Sequence, residues 1–116
     1  MEKVRVAVVG VGYLGQFHVE KYAKMEGVEL VGVVDIDLSR AREIAKRHHT
    51  QPFFRHSDLY DKVQAVSIVV PTPSHYSIAK DFFLHGIDIL LEKPMAKTLE
   101  ETDELIGLAE SKGLVL

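Results

Sequence analysis

Val4-Arg5-Val6-Ala7-Val8-Val9-Gly10-Val11-Gly12-Tyr13-Leu14-Gly15 decides the fold. The first six residues are mostly β-branched, the pattern of a short strand buried on both faces. The glycines that follow match G-x-G-x-x-G in the context the motif requires, directly after a strand and opening a helical stretch from about Tyr13 to Met25. Gly10 permits the tight turn, Gly12 lets the backbone approach a pyrophosphate, and Gly15 allows the helix to pack closely on the strand. The helix start at Tyr13 and Leu14 offers unpaired N–H groups and partial positive charge to phosphates.

The next strand, Val28 to Val34, ends in Asp35, which lies 20 residues after Gly15. A carboxylate there can accept hydrogen bonds from adenosine ribose hydroxyls and repels a 2′-phosphate. The competing reading is a generic turn and a helix-capping aspartate, but Asp37 is better placed to be the cap. Arg40 leaves the cofactor choice open. It can stack on adenine, receive a 2′-phosphate, or stand solvated at a helix start. NAD is the expected cofactor, with NADP possible.

Outward from these two strands the pattern repeats. Leu38 to His48 has apolar residues at helical spacing, Gln51 to Phe54 is a brief third strand, and Ala65 to Val70 is a fourth. Ile78, Ala79, Phe82 and Phe83 form a helical stripe closed by Gly86. Ile87 to Leu91 is a fifth strand. Thr98-Leu99-Glu100-Glu101 has the spacing of a capping box, opening a helix that stops near Gly113, and Leu114 to Leu116 starts a sixth strand. Strands alternating with helices call for an α/β architecture: a doubly wound parallel sheet of the Rossmann type, order 3-2-1-4-5-6, with helices on both faces. Pro52 cannot donate to a ladder, which agrees with an edge position for the third strand.

Ligands of such sheets lie at the carboxyl ends of the strands. Two further segments sit there. Pro71-Thr72-Pro73-Ser74-His75 follows the fourth strand, and its prolines stiffen the exit loop. His75 can approach a cofactor or simply begin the next helix, and the spacing favours the helix start. Glu92-Lys93-Pro94 follows the fifth strand, where a lysine suggests chemistry and a solvated charge pair is the bland alternative. His18 reads as structural, His48 and His49 as helix-end residues, and His56 and His85 as surface positions. No histidine pair has the spacing of a metal site.

The chain has 116 residues, enough for one domain. Hydrophobic residues at 47% and charged residues at 27% give a globular balance rather than a disordered one. There is no cysteine, which excludes disulfides and thiolate metal sites and fits a cytoplasmic location. No apolar run approaches a membrane span, and the N-terminus lacks a signal-peptide pattern. A net charge of −3 with dispersed basic residues argues against nucleic acid as a partner.

Gly10, Gly12 and Gly15, Asp35, Thr72-Pro73 with His75, and Glu92-Lys93-Pro94 together resemble the N-terminal domain of the Gfo/Idh/MocA oxidoreductase family over essentially the whole chain. The resemblance implies that Lys93 projects toward the nicotinamide and the substrate hydroxyl as the catalytic residue. It implies that Glu92 contacts the nicotinamide ribose and that Pro94 sets the lysine's direction. Pro71, Thr72, Pro73 and His75 join the cofactor-binding set. The implied reaction moves hydride between a secondary alcohol of a sugar, nucleotide sugar or cyclitol and the nicotinamide. A homo-oligomer is expected. Within the family, residues 12–18 and 70–76 look most like bacterial UDP-N-acetylglucosamine 3-dehydrogenases.

Residues 1–116 are therefore expected to form the dinucleotide-binding domain, able to bind cofactor but not to turn over without the family's C-terminal substrate domain. Two rivals remain at this level. One is a nucleotide-sensing or interaction module that kept the fold, against which Lys93 argues. The other is a methyltransferase on the same sheet, in which Glu92-Lys93-Pro94 would have no role.

Overall fold

A computed structural model describes residues 3–70, 74–91 and 99–113. The strands are β1 (Val4–Val9), β2 (Val28–Val34), β3 (Gln51–Phe53), β4 (Ala65–Ile68) and β5 (Asp88–Leu91). The helices are α1 (Tyr13–Lys24), α2 (Leu38–Arg47), α3 (His75–Leu84) and α4 (Leu99–Lys112), with a 3-10 turn at His56–Leu59. All strand pairs are parallel and the order is β3-β2-β1-β4-β5. This is the Rossmann arrangement expected from sequence. The sixth strand, at 114–116, lies outside the described residues, as does Thr98 of the capping box.

The sheet carries two cores, and alternation along β1 sorts residues between them. Ala7 and Val9 join Phe82, Phe83, Ile89 and Leu105 under α3 and α4. Val8 joins Val19, Val33, Ala41 and Ile44 under α1 and α2. Successive side chains of a strand point to opposite faces, so the buried part of β1, Val6 to Val9, feeds both layers and is apolar throughout. At the edge, Pro52 pairs with Val33 in β3, where its missing N–H is tolerated.

Helix boundaries follow local chemistry. Asp37 caps α2, its Oδ1 accepting the Arg40 N–H at 3.2 Å. Gly86, at φ +73, closes α3. Two strands end earlier than the sequence suggests. β4 stops at Ile68 rather than Val70, because β1 supplies one more acceptor (Val69 N–H to Val9 O, 2.7 Å) and then turns away at Gly10. β3 stops at Phe53, leaving Phe54 exposed.

Candidate functional site: a dinucleotide cleft at the strand ends

The carboxyl ends of β1, β2 and β4 enclose a cleft of about 400 Å³, a size suited to a small-molecule ligand. Gly10, Gly12, Asp35 and Arg40 line it, as the sequence predicts. Ile36, Phe54, His56, Val70, Ser74 and Ile78 also line it, beyond the candidate site residues of the sequence. Ile36 and Phe54 could have been among those candidates, since both follow strand ends and stand exposed, Ile36 at 89%.

The three motif glycines answer to different demands. Gly10 has φ +93, and a Cβ there would run into the Val69 carbonyl. A Cβ on Gly15 would overlap the Gly10 carbonyl oxygen, so this glycine is what seats α1 on β1. Gly12 is different. Its φ of −70 suits any residue, and a Cβ would find nothing nearer than the Arg40 Nη1 at 3.9 Å. The fold does not require glycine at position 12. Gly12 also precedes α1 without a side-chain cap, and the first turn carries no acidic residue, so the helix N–H end is open to an anionic ligand. Tyr13 and Leu14, in the first turn of α1, are not among the residues lining the cleft, and their side chains are exposed, Tyr13 at 79%.

Asp35, 8% exposed, is held by the backbone. Its Oδ2 accepts the Val11 N–H at 3.0 Å and its Oδ1 accepts the Asp37 N–H at 2.8 Å. Gln16 Nε2 donates to the Val11 carbonyl at 3.2 Å, so side chains hold the Val11 residue at both its N–H and its carbonyl. Arg40 Nη1 stands 3.8 Å from Asp35 Oδ2 at the cleft mouth, about half exposed. It is thus an ion-pair partner of Asp35 at the mouth of the cleft.

His75 begins α3, as the spacing favoured, and its ring is buried at 2% exposure, with Nε2 donating to the Val70 carbonyl at 2.6 Å. His56 is a correction: it is half-buried rather than a surface residue. Its Nε2 lies 3.1 Å from Asp81 Oδ2 and its ring packs against Phe82. The sequence could not signal this, because Asp81 is 25 residues away on α3. Nearby, burial, with the Asp81 carboxylate adding, pushes the Tyr60 phenol up. His85 is exposed, as expected, and stacks on Tyr60. Pro71, Thr72, Pro73, Glu92, Lys93 and Pro94 lie outside the described residues.

The cleft has the parts of a dinucleotide site, and comparison with known proteins gives it a family. The model of the Gfo/Idh/MocA oxidoreductases, described as an NAD-binding Rossmann fold, matches residues 4–116. The chain belongs to this family. It is 41% identical over its full length to UDP-N-acetylglucosamine 3-dehydrogenase from Acidithiobacillus ferrooxidans, covering 36% of that protein. It is 34% identical to the NADP(+) scyllo-inositol 2-dehydrogenase IolU of Bacillus subtilis, over 97% of this chain and 35% of that one. The structure of GenD2 from gentamicin A biosynthesis, in complex with NAD, superposes with a TM-score of 0.96 at 30% identity, covering all of this chain and 34% of that one. The Gfo/Idh/MocA chain described here thus spans about a third of the length of these relatives. It is an NAD-binding Rossmann domain, and among its described residues no helix is long and apolar enough to cross a membrane.

Proposed function

We propose that residues 1–116 are the cofactor-binding domain of an NAD-dependent dehydrogenase that acts on a secondary alcohol of a sugar, nucleotide sugar or cyclitol, with substrate groups supplied by a further domain. The observation that carries the nucleotide part is Gly12, a glycine with no steric duty to the fold, beside an uncapped helix start. On this reading the pyrophosphate lies over Gly12 and the first turn of α1, with the adenosine ribose on Asp35. Adenine lies between Ile36 and Arg40, and the chain from Val70 to His75 flanks the nicotinamide half. The carboxylate at Asp35 favours NAD over NADP, and Arg40 is the group through which NADP would be tolerated.

Bound NAD would supply the hydride acceptor for oxidation of the carbinol carbon. Lys93 receives the hydroxyl proton or stabilises the developing alkoxide, and Glu92 holds the nicotinamide ribose. A free lysine has a pKa of about 10.4, so service as a base requires a lowered value. The substrate class favoured by the relatives is a nucleotide sugar such as UDP-N-acetylglucosamine. A homo-oligomer in the cytoplasm, with no nucleic-acid or membrane partner, completes the proposal.

The test is NADH formation, followed by absorbance, with the protein carrying its substrate domain, offered UDP-N-acetylglucosamine, inositols and plain sugars. Oxidation of the nucleotide sugar, abolished in Lys93→Ala with NAD affinity kept, is the expected result. Full turnover in Lys93→Ala would remove the lysine from the chemistry. Reduction of NAD with inositols alone would move the substrate class to cyclitols.

A further inference from the structure

His75 is a neutral-sized polar ring at 2% exposure whose Nε2 spends a 2.6 Å hydrogen bond on the Val70 carbonyl. We propose that His75 is a positioning residue that holds the wall of the cleft between β4 and α3, and through it the half of the cofactor remote from adenosine. This rests on the cofactor placement given above.

The reason begins with the sequence between the two bonded residues. Pro71-Thr72-Pro73 separates Val70 from Ser74, and two of these three residues have no N–H to donate. The local backbone is therefore poor in donors for the Val70 carbonyl, and an imidazole N–H takes the role. Ser74, the residue just before α3, makes no side-chain cap hydrogen bond. A helix without its cap has a weakly specified start. The His75 ring ties that first turn back to Val70, just beyond the end of β4.

What is held bears on the ligand. Val69, Val70 and Ser74 all line the cleft, and the Val69 carbonyl and the Val70 side chain form the surface against which Gly10 turns. A shift at Val70 would move this wall of the cleft. The adenosine end, at Asp35 and Arg40, has its own hydrogen bonds and does not depend on this one.

That separation makes the test. NAD spans both halves of the cleft, whereas AMP occupies only the adenosine half. Calorimetry on His75→Phe, which keeps ring bulk but not the donor, is expected to show NAD binding weakened by about tenfold, the scale of one well-made hydrogen bond, with AMP binding changed by less than about twofold. His75→Gln places an amide donor near the Nε2 position and is expected to recover most of the NAD affinity. Should the Phe variant fail to fold, His75→Asn, whose amide stops short of Val70, is expected to show the same selective loss of NAD. Equal losses for NAD and AMP, no loss for either, or a Gln variant as weak as the Phe or Asn variant would each overturn the positioning role. A wild-type chain that binds AMP and NAD equally well would instead remove the cofactor placement on which it rests.

Discussion

Replacing Gly12 by alanine separates a ligand-imposed glycine from a fold-imposed one. The backbone there, at φ −70, accepts an L-residue without strain, and the new methyl would make only an ordinary contact with Arg40 at 3.9 Å. Alanine is a poorer helix-start residue than glycine by about 0.7 kcal/mol. It also reduces unfolded-state entropy, a gain of about 0.4–1 kcal/mol. The two nearly cancel, so stability is expected to change by less than about 0.5 kcal/mol. Cofactor binding is expected to suffer far more. The methyl would stand between the pyrophosphate and the first-turn N–H groups, and a hydrogen bond to a charged group contributes about 1.5–3 kcal/mol. Losing one such bond weakens NAD by about 10- to 150-fold. Gly10→Ala is the contrast. It puts a Cβ at φ +93 and against the Val69 carbonyl, so it is expected to destabilise the fold itself. Urea denaturation and NAD calorimetry on both variants decide the matter. A Gly12→Ala chain that binds NAD within about twofold of the parent, or unfolds as readily as Gly10→Ala, would refute the assignment.

Three other substitutions probe the remaining parts. Asp35→Asn leaves an amide where two N–H groups need acceptors, at Val11 and Asp37. One buried donor is left unpaired, and a loss of about 1–3 kcal/mol is expected in urea denaturation even without ligand; an unchanged midpoint would show that water replaces the carboxylate. Arg40→Ala is expected to weaken NADP more than NAD in parallel titrations, and an unchanged ratio would remove Arg40 from any 2′-phosphate contact. Glu104 on α4 accepts the Tyr76 hydroxyl and pairs with Lys80 Nζ at 3.0 Å, and these bonds hold its carboxyl below the ordinary range. A depressed carboxyl contributes stability above its unfolded pKa, about 4.3, and loses it as pH falls through the folded value. Glu104→Gln should therefore flatten the acid limb of a stability-against-pH curve, and a limb as steep as the parent's would place the acid sensitivity elsewhere.

Local chemistry was legible where residues signal without a distant partner. The β-branched runs of β1 and β2, the spacing from Gly15 to Asp35, and Asp37 as a cap all follow from short windows. Where the reading fell short, a second chain segment decides the outcome. β4 ends at Ile68 because β1 turns away at Gly10, a property of the neighbour rather than of Val69 or Val70. His56 sits in a polar run, Arg55-His56-Ser57-Asp58, that reads as surface, yet Asp81 and Phe82 of α3 cover it. Gln16 looks like an ordinary helical polar residue until its amide is seen on the Val11 carbonyl. Ile36 and Phe54 were missed for another reason. Ile36 lies one residue beyond Asp35 and Phe54 is the last residue of the expected third strand, and strand-end position alone points to both.

Asp35 shows why the glycine turn and the second-strand acid belong together. Its spacing from Gly15 is accounted for by the ribose, but the carboxylate also accepts the N–H of Val11, inside the turn. Each carboxylate oxygen has two acceptor sites, so one backbone bond on each leaves capacity for hydroxyl donors. On the proposed placement the group that reads the ribose is also the group that fixes the glycine turn, and Gln16 holds Val11 by its carbonyl. A ligand meets a turn and a carboxylate already in place and loses little free energy to ordering them. Coupling follows from the same geometry. Any change at position 35 moves the phosphate turn as well as the ribose contact, so losses of NAD affinity there exceed what one missing hydroxyl bond can explain. Comparing the loss for NAD with that for adenosine, which has no phosphates, separates the two contributions.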